Sequence, residues 1–436
     1  MTIRIAAPLA LAAALALPAS PALAQNDEPI TMVETPSPML ARANDIVAVL
    51  KDGKPATEVF SARFLAAVPE AQLATLLTQM EGQFGPLQKL ENVEGVAPGR
   101  SNIVLRFERA LVGGPFAVDA EGKVDALLLN DIRPLAGSEA ELKAQIEALP
   151  GEVSVFFAPL DASQPPLLSI KAEQQMAIGS AFKLYVLSAL AREIESGARN
   201  WNDVVALDTR SLPSGMMHNW PQGAPVTLHT LATMMISISD NSATDQLIHT
   251  LGRAKINQEV RVSGHSAPDR ILPFLTTLEL FALKGDTALG EEYAALGEDA
   301  QGARLEALAQ TIARDPQNIT PPRFTAPTAI DSLEWFANGE DLRKLLSRIV
   351  ALEDPTARQI LAVDPALPPA SGGDWRYAGF KGGSEPGVLN LTWLLQDKAG
   401  AWHMLAMSWN DPAAPVDEKA FELLALRVLA LAKERP

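Results

Sequence analysis

Ser180-Ala181-Phe182-Lys183 sets a hydroxyl and an amine three residues apart at the head of an apolar-periodic segment, so both fall on one face of a helix. A serine hydroxyl is a poor nucleophile until a base takes its proton. A desolvated lysine flanked by another cation can lose its own proton and serve as that base. The helix N-terminus adds backbone N–H groups and a positive dipole end that favour developing negative charge. Taken alone, the tetrad reads more simply as a helix-capping serine near a surface lysine, because a chain with this much Ser and Lys contains roughly one by chance.

Two further stretches could work with it. Ser239-Asp240-Asn241 lies between two helical patterns, and all three residue types also favour helix starts. Lys381-Gly382-Gly383-Ser384 closes a strand pattern with another strand shortly after. A Gly-rich turn would explain it, and glycine also lets a substrate backbone come close to a strand edge.

The elements that must hold these residues follow from periodicity. Residues 1–24 carry Arg4, an apolar run from Ile5 to Leu17 and Ala22-Leu23-Ala24, the pattern of a secretory signal peptide cleaved after Ala24. Its apolar core is about half the roughly 20 residues of a membrane span, so no anchor is expected after cleavage and the mature chain is expected to be periplasmic or secreted. Residues 25–36 read as a linker. Residues 37–135 read as a small α+β domain of three helices and four strands, in which a curved sheet wraps a helix.

Residues 150–436 form the second expected domain. Val153–Phe157 and Leu167–Ile170 read as a hairpin, followed by a helix from Ser180 to Glu195 ended by Gly197. Thr227 caps a helix through Met235, Ser242–Leu251 is another, and residues 285–326 are a helical, loop-rich insertion. A helix over Glu340–Leu352 precedes strands at Tyr377–Lys381, Leu389–Gln396 and Trp402–Trp409, and a helix from Asp417 to Glu434 ends the chain. Strands at both ends of this region imply one sheet built from both.

Composition narrows the chemistry. The chain has no cysteine, which removes thiolate nucleophiles, disulfides and acylated lipoprotein cysteines. Its formal charge of −16 becomes −17 when Arg4 leaves with the signal, which disfavours nucleic acid and anionic membrane and suits a small-molecule partner. The five histidines, His218, His229, His249, His265 and His403, show no zinc-site spacing, so no metal or other cofactor is expected. No Gly-x-Ser-x-Gly elbow and no phosphate loop is present.

In order and spacing, the three motifs together resemble the class A β-lactamases and related penicillin-binding serine hydrolases, whose signature is Ser-x-x-Lys, Ser-Asp-Asn and Lys-Thr/Ser-Gly. The likeness runs roughly from Gly151 to Pro436 and includes Phe182 and the Ser239–Asp245 stretch. It implies a β-lactamase-like (DD-peptidase/transpeptidase-like) domain, preceded here by a ketosteroid isomerase- or cystatin-like cone. That layout is similar to the two-domain group of the clavulanate-pathway cephalosporin esterase and certain mycobacterial lipoproteins. The resemblance makes Ser180 the acylated nucleophile, Lys183 its proton acceptor or relay, and Ser239 a proton shuttle to the leaving group. It gives Asn241 a substrate amide carbonyl, and Lys381 support of Ser239 and attraction of an anionic substrate. The N–H groups of Ser180 and Ser384, with Gly383 beside them, become the oxyanion hole.

Two departures stand out. Gly382 replaces the hydroxyl residue that helps hold a β-lactam carboxylate, with Ser384 as the expected substitute. The counterpart of the family's deacylating Glu is Glu279 in Thr277-Leu278-Glu279-Leu280-Phe281-Ala282-Leu283, which reads either as that base or as a solvated or helix-capping carboxylate. Two readings of function stay open: a serine hydrolase acting on a β-lactam, ester or related acyl substrate, and a non-catalytic penicillin-fold protein that binds cell-wall fragments or a protein partner. Oligomeric state has no signature in the sequence.

Overall fold

The computed structural model describes residues 37–212, 214–314 and 325–433; the signal peptide over 1–24 and the linker over 25–36 lie outside the described residues. Contacts divide the chain into two compact units. One runs to Gly137 and includes Leu367–Ser371; the other comprises Ser138–Ala366 and the chain from Gly372 onward.

The first unit has four helices, α1 (Ser37–Asp52), α2 (Ala56–Val59), α3 (Ala62–Ala67) and α4 (Glu70–Phe84), then five antiparallel strands. These are β1 (Leu87–Ala97), β2 (Arg100–Phe107), β3 (Ala110–Val118), β4 (Val124–Leu127) and β5 (Asp131–Pro134). Each class has one element more than the sequence suggests. The extra helix, α2, is a single turn closed by Phe60 N–H on the Ala56 carbonyl, too short to register a period. The apolar run after Val124 breaks into β4 and β5, which pair in succession with β3. Phe60 and Phe64 stack with centroids 4.5 Å apart, and Phe84 meets Phe107 edge-on, all four fully buried.

The second unit opens with α5 (Glu139–Glu147), capped by Ser138, which the sequence patterns leave unassigned. Its sheet runs in the order β12-β13-β14-β6-β7: β6 (Glu152–Pro159) and β7 (Leu168–Ile170) from the start, β12 (Tyr377–Glu385), β13 (Val388–Gln396) and β14 (Trp402–Asn410) from the end. Eight consecutive residues of β13, Val388 to Leu395, are buried, as a strand covered on both faces requires.

Between the two halves of the sheet lie β8 (Met176–Ala177), a 3₁₀ turn over Gly179–Phe182, α6 (Lys183–Glu195) and the hairpin of β9 (Val204–Leu207) and β10 (Ala224–Thr227). Helices α7 (Leu228–Ser237), α8 (Asn241–Leu251), α9 (Arg253–Val262), α10 (Thr277–Gly285), α11 (Thr287–Ala294) and α12 (Glu298–Arg314) follow. Then come β11 (Phe336–Ala337), which pairs with β8, α13 (Gly339–Val350) and α14 (Thr356–Leu361). A helix over Glu418–Ala430 closes the unit. Helix α6 is its hub, with every residue from Lys183 to Ala191 buried among α8, α9 and α13. Each fully buried Leu or Val there stabilises the fold by about 1.5–3 kcal/mol. Among the described residues no helix is long and apolar enough to cross a membrane.

Candidate active site

The chain enters the site under close restraint. Asn410 on β14 accepts from Ala177 N–H at 2.8 Å and donates to the Ala177 carbonyl at 3.1 Å, while Ile178 N–H donates to the Trp335 carbonyl at 3.0 Å. Gly179 then turns the backbone with φ +46°, and Ser180 follows in a tight 3₁₀ turn; the α-helix expected from Ser180 begins at Lys183. Strand β12 passes so close that a Cβ on Gly383 would lie 2.2 Å from Ser180 N and 2.3 Å from the Ile178 carbonyl oxygen. A Cβ on Gly179 would lie 3.1 Å from Ser384 N. Glycine at both positions therefore brings the peptide N–H groups of Ser180 and Ser384 to one place.

Phe182 anchors the turn from below. Its ring is fully buried, stacked on Trp335 with centroids 3.7 Å apart and edge-on to Phe274 at 5.7 Å. Ser180 remains half-buried, whereas Lys183, one turn on, is wholly buried.

The Lys183 ammonium donates to the Ser239 carbonyl at 2.8 Å, Ser239 Oγ at 3.0 Å and Asn241 Oδ1 at 2.8 Å. Lys381 reaches the same Ser239 Oγ from β12 at 3.1 Å and also donates to the Gly382 carbonyl at 2.6 Å. One hydroxyl is thus shared by two lysines from distant parts of the chain. Burial and the charge of Lys381 push the Lys183 amine well below the usual lysine range, with Asp245 and Asp240 opposing. Burial lowers Lys381 to about 7, with Asp364 opposing.

Ser239 is held in a left-handed conformation, φ +57°, which costs a non-glycine residue about 1–3 kcal/mol and persists only where neighbours enforce it. The enforcement is visible. Ser214 Oγ donates to the Ser239 carbonyl at 2.6 Å, and Asp240 Oδ2 accepts from the N–H groups of Met216 and Met217 at 2.6 and 2.7 Å. Asp240 Oδ1 caps α8 through Ala243 N–H, and Asn241 Nδ2 donates to the Leu212 carbonyl. One turn along α8, buried Asp245 accepts from Ser211 Oγ, Thr277 Oγ1 and the N–H groups of Thr277 and Leu278, which ties the start of α10 to the motif helix.

Lys183, Ser239, Asn241 and Lys381 therefore meet in one hydrogen-bonded cluster, with Ser180 and Gly383 in backbone contact beside it. Two expectations change. The Lys381-to-Ser384 stretch lies inside β12, which continues to Glu385, so alternation sends Ser384 to the face opposite Lys381 and Gly383. There the Ser384 hydroxyl hydrogen-bonds Glu418 of the last helix, and it does not replace the hydroxyl missing at Gly382. The Lys381 side chain is buried and donates to Ser239 and Gly382, the support of Ser239 that the motif order suggests.

Glu279 takes the helix-capping alternative. It is the third residue of α10 in a capping box with Thr276, Oε2 accepting from Thr276 N–H at 2.8 Å, and Oε1 pairs with Arg253 at 2.5 Å. A cluster the motifs do not announce lies where β12 ends: buried Lys284 of α10 pairs with Glu334 at 2.6 Å and with Glu385, the next residue after Gly383 on that face. Burial and the neighbouring Glu334 push the Glu385 carboxyl up to about 9, with Lys284 opposing. Among the described residues no group of three or more His, Cys, Asp or Glu side chains could hold a metal.

A family model described as "Beta-lactamase enzyme family" matches residues 137–312, a span that holds Ser180–Lys183 and Ser239–Asn241 and stops short of Lys381. Over that span the second unit has a β-lactamase-like fold. The third motif, outside the matched span, reaches the other two through β12 and Ser239.

Among solved structures, the chain is similar to a β-lactamase from Sphaerobacter thermophilus at 20% identity, covering 67% of this chain and 94% of that one, TM-score 0.48. It is also similar to PBP-A at 17% identity, covering 68% and 96%, TM-score 0.47. A β-lactamase from Chitinophaga pinensis is 13% identical, covering 68% and 97%, TM-score 0.47. No curated protein matches the chain.

Proposed function

We propose that the protein is an exported serine hydrolase that works through an acyl-Ser180 intermediate on a β-lactam, ester or related acyl substrate. The observation that carries this reading is the sharing of Ser239 Oγ by Lys183 and Lys381, one turn of helix from Ser180. A buried lysine whose proton affinity is lowered by burial and a second cation suits removal of a proton from a serine hydroxyl. A binding module has no use for it.

In this reading Lys183 in its neutral form takes the Ser180 proton as Oγ attacks the acyl carbonyl. The oxyanion lies between the N–H groups of Ser180 and Ser384, and the proton passes through Ser239 Oγ to the leaving group. Water then cleaves the ester to release the acid and restore Ser180. Export rests on the composition of residues 1–24. Steady-state turnover on a panel of cephalosporins, short-chain esters and D-Ala-D-Ala peptides, with Ser180→Ala as control, tests the reading. Turnover of at least one class by the parent and none by the variant is expected; equal rates in both would overturn it.

A further inference from the structure

The two N–H groups that meet at the oxyanion position come from segments far apart in the chain. Ser384 lies one residue before the end of β12, the end strand of its sheet, and its pairing with Leu389 is followed by Glu385 with Val388 before the turn. Asp411 N–H donates to the Gly387 carbonyl at 2.8 Å and fixes that turn to the sheet. On the face of β12 that carries Gly383, Glu385 makes a second tie, to buried Lys284 of α10. Lys284 also donates to Glu334 at 2.6 Å, and Glu334 Oε2 accepts from Trp335 N–H at 3.2 Å. The Trp335 carbonyl in turn holds Ile178 N–H at 3.0 Å, two residues before Ser180, and the Trp335 ring stacks on Phe182, two residues after it. A chain of bonds therefore runs from one oxyanion donor to the other through Lys284.

From this circuit we infer that Lys284 and Glu385 are positioning residues of the oxyanion hole: they hold the end of β12 against the Trp335 segment and so fix the separation of the Ser180 and Ser384 N–H groups. The inference rests on the acyl-Ser180 reading above. An oxyanion donor is worth roughly 10²–10³ in rate, and a displacement of about 1 Å can cost roughly 10²-fold, so a slack β12 end is felt in the acylation step. The hydrogen bonds, rather than a negative charge on Glu385, carry the tie. Burial and Glu334 push the Glu385 carboxyl up to about 9, so near neutral pH it is a protonated acid that accepts from Lys284 and donates to Glu334. Glutamine offers the same acceptor and donor, whereas leucine fills similar space with neither.

Glu385→Leu and Glu385→Gln in the full chain test this. Both leave Lys284 paired with Glu334, so the buried amine keeps a partner and the fold survives either change. Acylation by p-nitrophenyl acetate at rising concentration separates the acylation rate constant from the ester's dissociation constant. Phenylboronic acid, which adds to a serine Oγ and places a hydroxyl in the oxyanion hole, reports on the hole itself. Glu385→Leu is expected to slow acylation roughly tenfold to a hundredfold and to weaken the boronate by a similar factor, with the ester's dissociation constant unchanged, and Glu385→Gln to restore both. Parental acylation in Glu385→Leu, a loss confined to the dissociation constant, or Glu385→Gln as slow as Glu385→Leu overturns the inference. An ester that fails to label Ser180 in the parent, by mass spectrometry and peptide mapping, overturns the acyl-serine reading itself, and the inference falls with it.

Discussion

The two units bury different things. Among the described residues the buried polar side chains of the first are Ser61 and Ser101, set in an aromatic and aliphatic core. The second buries Lys183, Lys284, Lys381, Glu259, Glu279, Glu334, Asp240, Asp245 and Asp341, almost all bonded to one another or to backbone. Buried charges stabilise a fold poorly, since desolvation offsets most of their attraction. The first unit folds around a core with no buried charge among the described residues, so the charged wiring of the second marks where geometry, rather than stability, has been built.

The comparison is broken most severely by removing the buried amine. Lys183→Met is expected to lower the acylation rate roughly 10²–10⁴-fold, the loss that follows removal of a general base. The protein should stay folded by circular dichroism, because an unbranched thioether of similar length fills the space of the buried side chain. Acylation at the parental rate would remove Lys183 from the chemistry.

Paired core truncations sharpen the contrast. Phe64→Ala in the first unit and Phe182→Ala in the second each delete a buried ring and should cost about 3–5 kcal/mol in chemical denaturation. Only Phe182→Ala should also slow acylation, since its ring holds the turn that carries Ser180. An equal loss of activity from Phe64→Ala would dissolve the division of labour.

A smaller effect is expected at Glu279. Glu279→Gln leaves Arg253 without its charged partner and should lower stability by about 1–3 kcal/mol without accumulation of acyl-enzyme. Accumulation in the variant, seen by mass spectrometry, would return Glu279 to the water-activating role.

The smallest expected change is in pH dependence. Lys183 acts when neutral, and its lowered proton affinity places the rising limb of acylation below the lysine range. Lys381 supports Ser239 when charged, so the rate should fall as pH rises past about 7, where Lys381 loses its proton. Acylation by an uncharged activated ester, followed against pH, should be bell-shaped, and Lys381→Arg should abolish the descending limb because guanidinium does not titrate there. A descending limb unchanged in Lys381→Arg would assign it to another group.

Local chemistry was the legible part of the site. Ser180, Lys183, Ser239, Asn241 and Lys381 declare themselves through side-chain type and motif order, and the long apolar strands at both ends of the second unit announce their shared sheet. What the sequence concealed depends on direction and distance. Ser384 turns away because β12 continues past Lys381 to Glu385, so parity assigns it to the far face. The strand pattern alone ends at Lys381. Glu279 is claimed by Arg253, a partner in another helix that no local period reveals. The clamp of Lys284, Glu334 and Glu385 joins α10, the loop before β11 and the end of β12, which are distant in sequence. Helix α2, a single turn, lies below the length at which a period can be read.

The central claim is that the charged cluster of the second unit activates Ser180 for covalent chemistry. Intact-protein mass spectrometry after brief exposure to an activated ester or a β-lactam, followed by peptide mapping, tests it most directly. The account predicts a single acyl adduct on the peptide containing Ser180, absent in Ser180→Ala and undiminished by a chelator. An adduct that persists in Ser180→Ala, or one that disappears when metal is removed, would contradict it.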